Sequence, residues 1–414
     1  MQTHSFIREN ARWLAGGFLL TFFSSYGQTF FIALSAGNIR LEYGLSHGEF
    51  GGLYMLATLA SAATLPFLGQ IVDRMSPLAV TLIVVPMLAL AALMMAASHN
   101  ILLLFVTIYL LRLFGQGMMT QNAATAIARW FVAQRGRAMS VTVIGVNAGE
   151  ALFPVIFVLL AGAIGWRNAW MLGALTLLLV ALPLISWLVK VQRAPRASDP
   201  PIRKVRAQDW TRAEVLRDPF FYLTLMGVLA PGFIGTTIFF HQIYLVDLRG
   251  WSLEVFASSF TFMALTTVTF ALVAGQLVDR FSAIALLPSF LFPLAAACLV
   301  LGSMEPQWSV FLFMGLLGLS YGFQHTLFGA LWPEMYGLRH LGAIRAVTMA
   351  IGVLSTAVGP GLTGVLIDLD ISYPAQIVAM GIYCLGAGML MIYVARRLQA
   401  RALSSPGPSD STAP

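Results

Sequence analysis

Apolar residues in this chain come in long unbroken runs rather than in narrow stripes. From Trp13 almost to Arg396, runs of roughly 20 or more such residues alternate with short polar breaks. A hydrocarbon layer about 30 Å thick needs about 20 apolar residues per helical crossing, so each run predicts one membrane span. The breaks divide the chain into about twelve spans. The first six are 13–38, 48–72, 78–98, 101–127, 138–163 and 168–190. The second six are 219–246, 254–278, 283–303, 307–332, 342–367 and 374–396. Several breaks are only a few residues long, which makes successive helices antiparallel neighbours.

Composition agrees with an all-α membrane protein. Hydrophobic residues make up 58% of the chain and charged residues 10%, against about 25% charged in soluble domains. The net charge of +7 could point to nucleic acid, but the placement of the basic residues gives another reason for it. Nearly all Lys and Arg fall in loops on the side of the N-terminus, and only Arg40, Arg167 and Arg249 fall on the other side. That bias places both termini in the cytoplasm, in a cytoplasmic (inner) membrane, with no nucleic-acid partner. The first run exceeds the length of a secretory signal and is followed by further spans, so it is expected to be a retained helix. Cys298 and Cys384 lie in apolar runs and suggest neither a metal site nor a structural disulfide.

The stretch RAPRASDPPIRKVRAQDWTRAEVLRD is too charged and proline-rich to cross a membrane. The expected organisation is an N-terminal six-helix bundle over 1–191, a cytoplasmic linker over 192–218 and a C-terminal six-helix bundle over 219–398. A disordered cytoplasmic tail is expected over 399–414.

Two octapeptides sharpen this picture. GQIVDRMS, from Gly69 to Ser76, and GQLVDRFS, from Gly275 to Ser282, agree at six of eight positions. Each closes the second span of its six-helix set. The same turn at the same place indicates an internal duplication, and parallel six-helix repeats with a substrate site near mid-membrane are one transporter architecture. Gly69 and Gly275 permit close helix packing. Asp73, Arg74, Asp279 and Arg280 sit where a helix end meets a charged loop, placed to hold one conformation closed. A plain solvated turn is the alternative.

The turn after span 2 resembles the major facilitator signature G-x-L-x-D-R-x-G-R-R through Gly69, Ile71, Asp73 and Arg74. Met75-Ser76-Pro77-Leu78 replaces its Gly-Arg-Arg part, so the basic half of the usual charge relay is thinned. LRLFGQG, with Arg112 and Gly117, resembles that family's R-x-x-x-G or R-x-x-Q-G signature in helix 4. The resemblance covers Trp13 to Arg397 and implies two pseudo-symmetric six-helix bundles, with helices 1, 4, 7 and 10 lining a central cavity. ARWFVAQRGRAMS and WTRAEVLRDPFF are similar to the monocarboxylate and oxalate/formate porters. That branch tends to carry a cationic anchor in helix 8 or 11. Span 8 here has no charge, and span 11 has only Arg345, near its cytoplasmic mouth.

An ionisable group near mid-membrane costs about 3 kcal/mol even on lenient insertion scales, so each needs a partner or a task. Four stand out: Arg112, Glu150, His241 and His325. Measured from the cytoplasmic ends, Arg112 and Glu150 both fall about 20–25 Å deep at 1.5 Å per residue. Spans 4 and 5 could therefore bring them together as a static pair or a protonation switch, or leave them apart. The helices implied to face the cavity carry Gln28, Arg112 with Gln116, His241, and Gln324 with His325, the candidate substrate-binding residues. Glu150, His241 and His325 are the candidates for proton coupling. Zinc is not expected: the two histidines lie on different helices without thiolates or a nearby carboxylate. Gly and Pro in GVNAGEALFP and VGPGLTGVLID recur at related places in spans 5 and 11, as packing or hinge elements. Glu334 with Arg339 suggests an inner gate or a plain surface pair.

No ATP-hydrolysing motif and no intramembrane nucleophile–base pair appear, so an enzyme is not expected and no cofactor is implied. The leading expectation is a secondary active transporter working by alternating access as a monomer in the bilayer. Its partners would be a small organic solute, a carboxylate-like anion drawn by Arg112, and protons, by symport or antiport. Proton-exchange efflux of an amphiphile is the competing reading, and a non-transporting receptor on the same fold is a third.

Overall fold

The computed structural model describes residues 2–131, 135–193, 210–337 and 339–404, and no strand occurs among them. The helical rods follow the predicted spans in order. α1 runs over residues 2–43 and is broken. α2 is His47–Arg74, α3 is Pro77–Ala97, α4 is Ile101–Trp130, α5 is Arg135–Ile164 and α6 is Trp166–Val189. α7 occupies residues 219–249 with breaks at Leu229 and His241. α8 is Leu253–Phe281, α9 is Leu291–Ser303, α10 is Ser309–Tyr336, α11 is Leu341–Asp368 and α12 is Tyr373–Ser404. Among the described residues, ten helices are long and apolar enough to cross a membrane. The two parts of α1, bent by 43°, make an eleventh if taken as one crossing. The chain is an all-α integral membrane protein.

Two of these rods differ from expectation. The predicted span 283–303 is α-helical only from Leu291. Its first residues wind as tighter turns, with Leu287 N–H on Ile284 O and Ser289 N–H on Leu286 O. Pro288 has no N–H to continue an α ladder, and Ser282 enters with φ 77°. α12 in turn runs past residue 398, where the tail was expected to begin, to Ser404. Leu, Gln, Ala and Arg there are strong helix formers.

Duplication is visible beyond the octapeptides. α1 and α7 both end on a glycine with left-handed backbone, Gly44 at φ 63° and Gly250 at φ 64°. In both, the following N–H reaches five residues back, Leu45 to Arg40 O and Trp251 to Val246 O, each at 3.0 Å. These glycines stand at the same chain offset as the two octapeptides.

A second pair joins the helices. A Cβ on Gly145 of α5 would strike Thr21 Oγ1 and Phe18 O of α1. A Cβ on Gly359 of α11 would strike Thr237 Oγ1 of α7 and meet Phe233 O. In each half, then, a glycine lets the fifth helix close on a threonine of the first. Packing, rather than hinge motion, accounts for these residues.

The chain forms two compact units. The first is Met1–Lys204 with Phe233–Ala264 and Val353–Tyr373, so it draws on both halves of the sequence. Inside it an aromatic core of Tyr26, Phe31, Phe153, Phe157 and Trp170 ties α1, α5 and α6 together edge to face. At the end remote from the termini, the last part of α7, the start of α8 and the end of α11 pack on α1, α2 and α5. Phe50 stacks on Phe240, Phe30 lies against Phe260, and Thr261 Oγ1 donates to Ala151 O at 2.9 Å.

The second unit is Val205–Gly232, Leu265–Gly352 and Pro374–Pro414. Its anchor is Asp218, buried at the start of α7, which caps Phe220 N–H, pairs with Arg401 at 3.0 Å and accepts from Tyr336 Oη at 3.2 Å. Trp210 completes the clamp, with Arg401 over its ring and its N–H on Tyr336 O. Beside it a Thr211–Glu214 capping box starts a short helix, and Thr211's N–H and hydroxyl hold the Glu214 carboxyl below its ordinary range. Cys298 and Cys384 are both buried.

The octapeptide turns are clamped within their own halves. Arg129 of α4 donates to Val72 O and Met75 O, each at 3.1 Å. Glu334 of α10 accepts from Ala283 N–H at 2.8 Å. Arg74 is exposed, and Arg280 lies over the Phe281 ring. The side chains of Asp73 and Asp279 lie outside the described residues.

Where α1 breaks, it crosses α4 at Gly27 and Gly115, and a Cβ on Gly27 would overlap Leu111 O and Gly115 Cα. Gly27→Ala is expected to lower stability by about 1–3 kcal/mol through overpacking. Gly275→Ala adds a carbon that meets nothing within 4 Å, and should raise stability by about 0.5–1 kcal/mol by favouring the helix. Thermal unfolding of both purified variants in detergent reads the opposite signs.

Candidate functional site

The site is built around the break in α1. Helical winding tightens over Ser24–Gly27, and Gln28 is then extended at φ −85°, ψ 151°. A backbone leaving its helix in an apolar setting strands polar groups that need new partners. α4 supplies them from a π-helical stretch, Leu111–Met119, where one extra residue per turn turns the face carrying Arg112 and Gly115 toward α1.

Arg112 is 2% exposed. Its Nη1 donates to Gly27 O at 3.3 Å and to Thr29 Oγ1 at 3.2 Å. Thr29 Oγ1 in turn shares a 2.7 Å hydrogen bond with the hydroxyl of Tyr54, which is fully buried on α2. The Tyr54 ring lies under the guanidinium, 5.5 Å from Cζ to centroid. A ring face attracts a desolvated cation by about 2 kcal/mol.

The other edge of the guanidinium is uncommitted. Nε is buried without a hydrogen-bond partner, and among the described residues no acceptor bonds Nη2 and no carboxylate pairs with the charge. Nε–H and Nη2–H point the same way from a rigid plane, the geometry that grips two oxygens of one oxyanion.

Glu150 does not answer this charge. Among the described residues it makes no hydrogen bond and no ion pair. The sequence placed the two groups at similar depth, but depth leaves azimuth open. The π-helical stretch packs chiefly on α1, α2 and α3, while α5 packs chiefly on α1. Glu150 instead follows Gly149, whose added Cβ would meet Ser25 and Phe22 of α1. It precedes Ala151, whose carbonyl is bonded from α8. Gln28 flanks the break, and Gln116 flanks Gly115. Among the described residues the side chains of both make no hydrogen bond. Gln28 and Gln116 thus lie in the chain beside the two glycines at which α1 and α4 cross, whereas Glu150 lies beside the glycine at which α5 meets Ser25 of α1.

The remaining candidates lie elsewhere. His241 is buried at the second break of α7, its Nε2 3.1 Å from Pro360 O. A carbonyl only accepts, so Nε2 carries the hydrogen. The neighbouring Gln242 donates to Phe30 O at 2.9 Å. This pair thus ties α7 to α11 and α1 at the end remote from the termini. In the second unit, His325 is exposed on an α10 stripe with Tyr321 and Gly329. Tyr321 reaches Pro231 O of α7, and Arg345 of α11 donates to Gly329 O. Gln324 makes no hydrogen bond there. Thr29 and Tyr54 were missed by sequence reasoning, because a threonine and a tyrosine in apolar spans carry no signal until the break in α1 aims them at Arg112.

The family model of the Major Facilitator Superfamily matches residues 17–360, and the chain belongs to that superfamily. Its members are membrane transporters. One relative is the probable sulfoacetate transporter SauU of Cupriavidus necator, 28% identical over 166 residues. The match covers 40% of this chain and 38% of that protein, so the chain spans well under half the length of this relative. Among solved structures, a bacterial homologue of the human lysosomal transporter Spinster, inward-facing and unoccupied, aligns with a TM-score of 0.71 at 14% identity. That alignment covers 97% of this chain and 99% of the other. The occupied inward-facing form aligns with a TM-score of 0.71 at 16% identity, covering 98% of this chain and all of the other. These likenesses concern the fold.

The Thr29–Tyr54–Arg112 triad should behave as one unit. Thr29→Val and Tyr54→Phe are each expected to cost about 1 kcal/mol of stability. The double variant should fall short of the sum by about 0.5 kcal/mol or more, as a thermal-unfolding double-mutant cycle would show.

Proposed function

We propose that the chain is a secondary active transporter of a small organic anion, a carboxylate or a sulfonate, gripped by the Nε–Nη2 edge of Arg112. The observation that carries this reading is a buried guanidinium whose Nη1 is held by Gly27 and Thr29 and whose Nε has no partner. Gln28 and Gln116 add neutral hydrogen-bonding groups beside it. The name of the Cupriavidus necator relative is in keeping with such a solute, since sulfoacetate carries both kinds of group.

The energy comes from a proton gradient, with Glu150 as the carrier. A carboxyl without a cationic partner can be neutral when protonated and charged when not, and each state favours a different conformation. His325 and His241 are secondary candidates. The protein works by alternating access in a cytoplasmic membrane with both termini inside, in keeping with the placement of its basic residues. The amphiphile-efflux reading is less favoured. The aromatic side chains of the first unit that such a solute would need pack on one another around Tyr26, Phe31 and Phe153.

Purified protein in liposomes, given a pH gradient and labelled sulfoacetate or small mono- and dicarboxylates, tests this directly. Saturable accumulation is expected, with kcat/KM lowered at least about tenfold by Arg112→Lys, which keeps the charge and loses the fork. An Arg112→Ala variant with unchanged anion transport would overturn the anion reading. Glu150→Gln should retain exchange of identical solutes across the membrane while losing accumulation driven by the pH gradient. Flux indifferent to a collapsed gradient would remove proton coupling.

A further inference from the structure

The end of the first unit remote from the termini holds a contact that belongs to neither the anion site nor the octapeptides. α2 opens with its own capping box: Glu49 N–H donates to Ser46 Oγ at 3.0 Å, and Ser46 N–H donates to Glu49 Oε2 at 2.8 Å. Two amide donors of the first turn remain, those of His47 and Gly48. Both are taken by a single carboxylate from the last residue of α11. Asp368 accepts from His47 N–H at 3.1 Å, from Gly48 N–H at 2.7 Å and from Ser46 Oγ–H at 2.6 Å. One helix is thus capped by a residue more than three hundred positions away.

The surfaces behind this cap are shaped for contact. A Cβ on Gly48 would lie 3.2 Å from Val365 Cα, and one on Gly51 would lie 2.6 Å from Pro360 O. On the α11 side, a Cβ on Gly364 would crowd His47 O. Glycines on both faces allow the two backbones to touch. Arg40 of α1, His47 of α2 and His241, Tyr244 and Asp247 of α7 surround a cavity of about 30 Å³ beside the cap, room for a water molecule.

We infer that Asp368 is a latch: a positioning residue that holds the remote ends of α2 and α11 together and releases them during the transport cycle. Its chemistry suits repeated opening. Asp368 is exposed, so its carboxylate and the two amides exchange one another for water. The capping box within α2 keeps that helix intact after release. A contact formed across an interface, and dispensable to either helix alone, biases which conformation is populated. The inference rests on contacts inside the first unit and is independent of which solute is carried.

The test uses cysteine-free protein (Cys298→Ala, Cys384→Ala) carrying Ala36→Cys, a buried position lining the same cavity. Labelling by a membrane-impermeant maleimide is measured on purified protein in lipid nanodiscs. Asp368→Ala, and Asp368→Asn as a same-shape variant, are expected to raise the labelling rate roughly tenfold, the change a shift of about 1.4 kcal/mol produces. A cysteine at Ala91, buried in α3, should stay unreactive, and Asp368→Glu should recover part of the slow labelling. Unchanged labelling at position 36 in both folded variants would overturn the latch. So would an equal rise at positions 36 and 91, which marks general loosening. The readout needs no substrate, so the latch and the proposed anion specificity can fail separately.

Discussion

A guanidinium does not give up its proton inside a protein, so a buried arginine must be surrounded by groups that accept its charge. In this protein the acceptors come from a helix that stops being a helix. α1 unwinds at Gly27, and the carbonyl it strands is the one to which Arg112 donates. The break and the arginine explain one another: without Arg112 a carbonyl would lack a partner in an apolar interior, and without the break the cation would lack an acceptor. Thr29 and Tyr54 complete the arrangement on one edge only. That one-sidedness makes the arginine a candidate site and not merely a strut.

The geometry depends on backbones coming closer than side chains allow. Gly27 meets Gly115 where α1 crosses α4, and the π-helical stretch of α4 turns that face toward the break. Related close approaches recur at Gly145 against Thr21 and at Gly359 against Thr237, one in each half. In a bilayer there is little hydrophobic drive between helices, so close packing of small residues carries much of the association. The duplicated turns and the left-handed glycines at the ends of α1 and α7, which share one chain offset, are then two records of one event. A six-helix unit was copied.

The first compact unit contains stretches from both sequence halves, with the end remote from the termini sealed by aromatic stacking, by Gln242 on Phe30 O and by the Asp368 cap. The polar contacts and those made through glycine lie beside buried rings, Phe50 on Phe240 and Phe30 against Phe260. Contacts of the first two kinds are cheap to hydrate and leave small cavities when parted. Rings are the opposite case, here and in the aromatic core around Tyr26, Phe31 and Trp170, since separating them would expose large apolar faces.

The sequence by itself determined the solvent, the helical class, the order of the rods and the doubling. These follow from run length and repetition along the chain, and both are local properties. It also picked out Arg112 and Glu150 as groups whose burial requires a reason, and it placed them at similar depth. Only the tertiary structure decided that they do not meet, because depth along a helix leaves open the azimuth at which each side chain emerges, and the π-helical stretch that sets it for Arg112 is not revealed by a residue count. Likewise Thr29, Tyr54 and Asp368 are ordinary in the sequence: a threonine, a tyrosine and a helix-end aspartate. They acquire roles through partners far away in the chain, at a broken helix and at the start of α2. A role made of contacts between distant segments becomes legible only once those segments are packed.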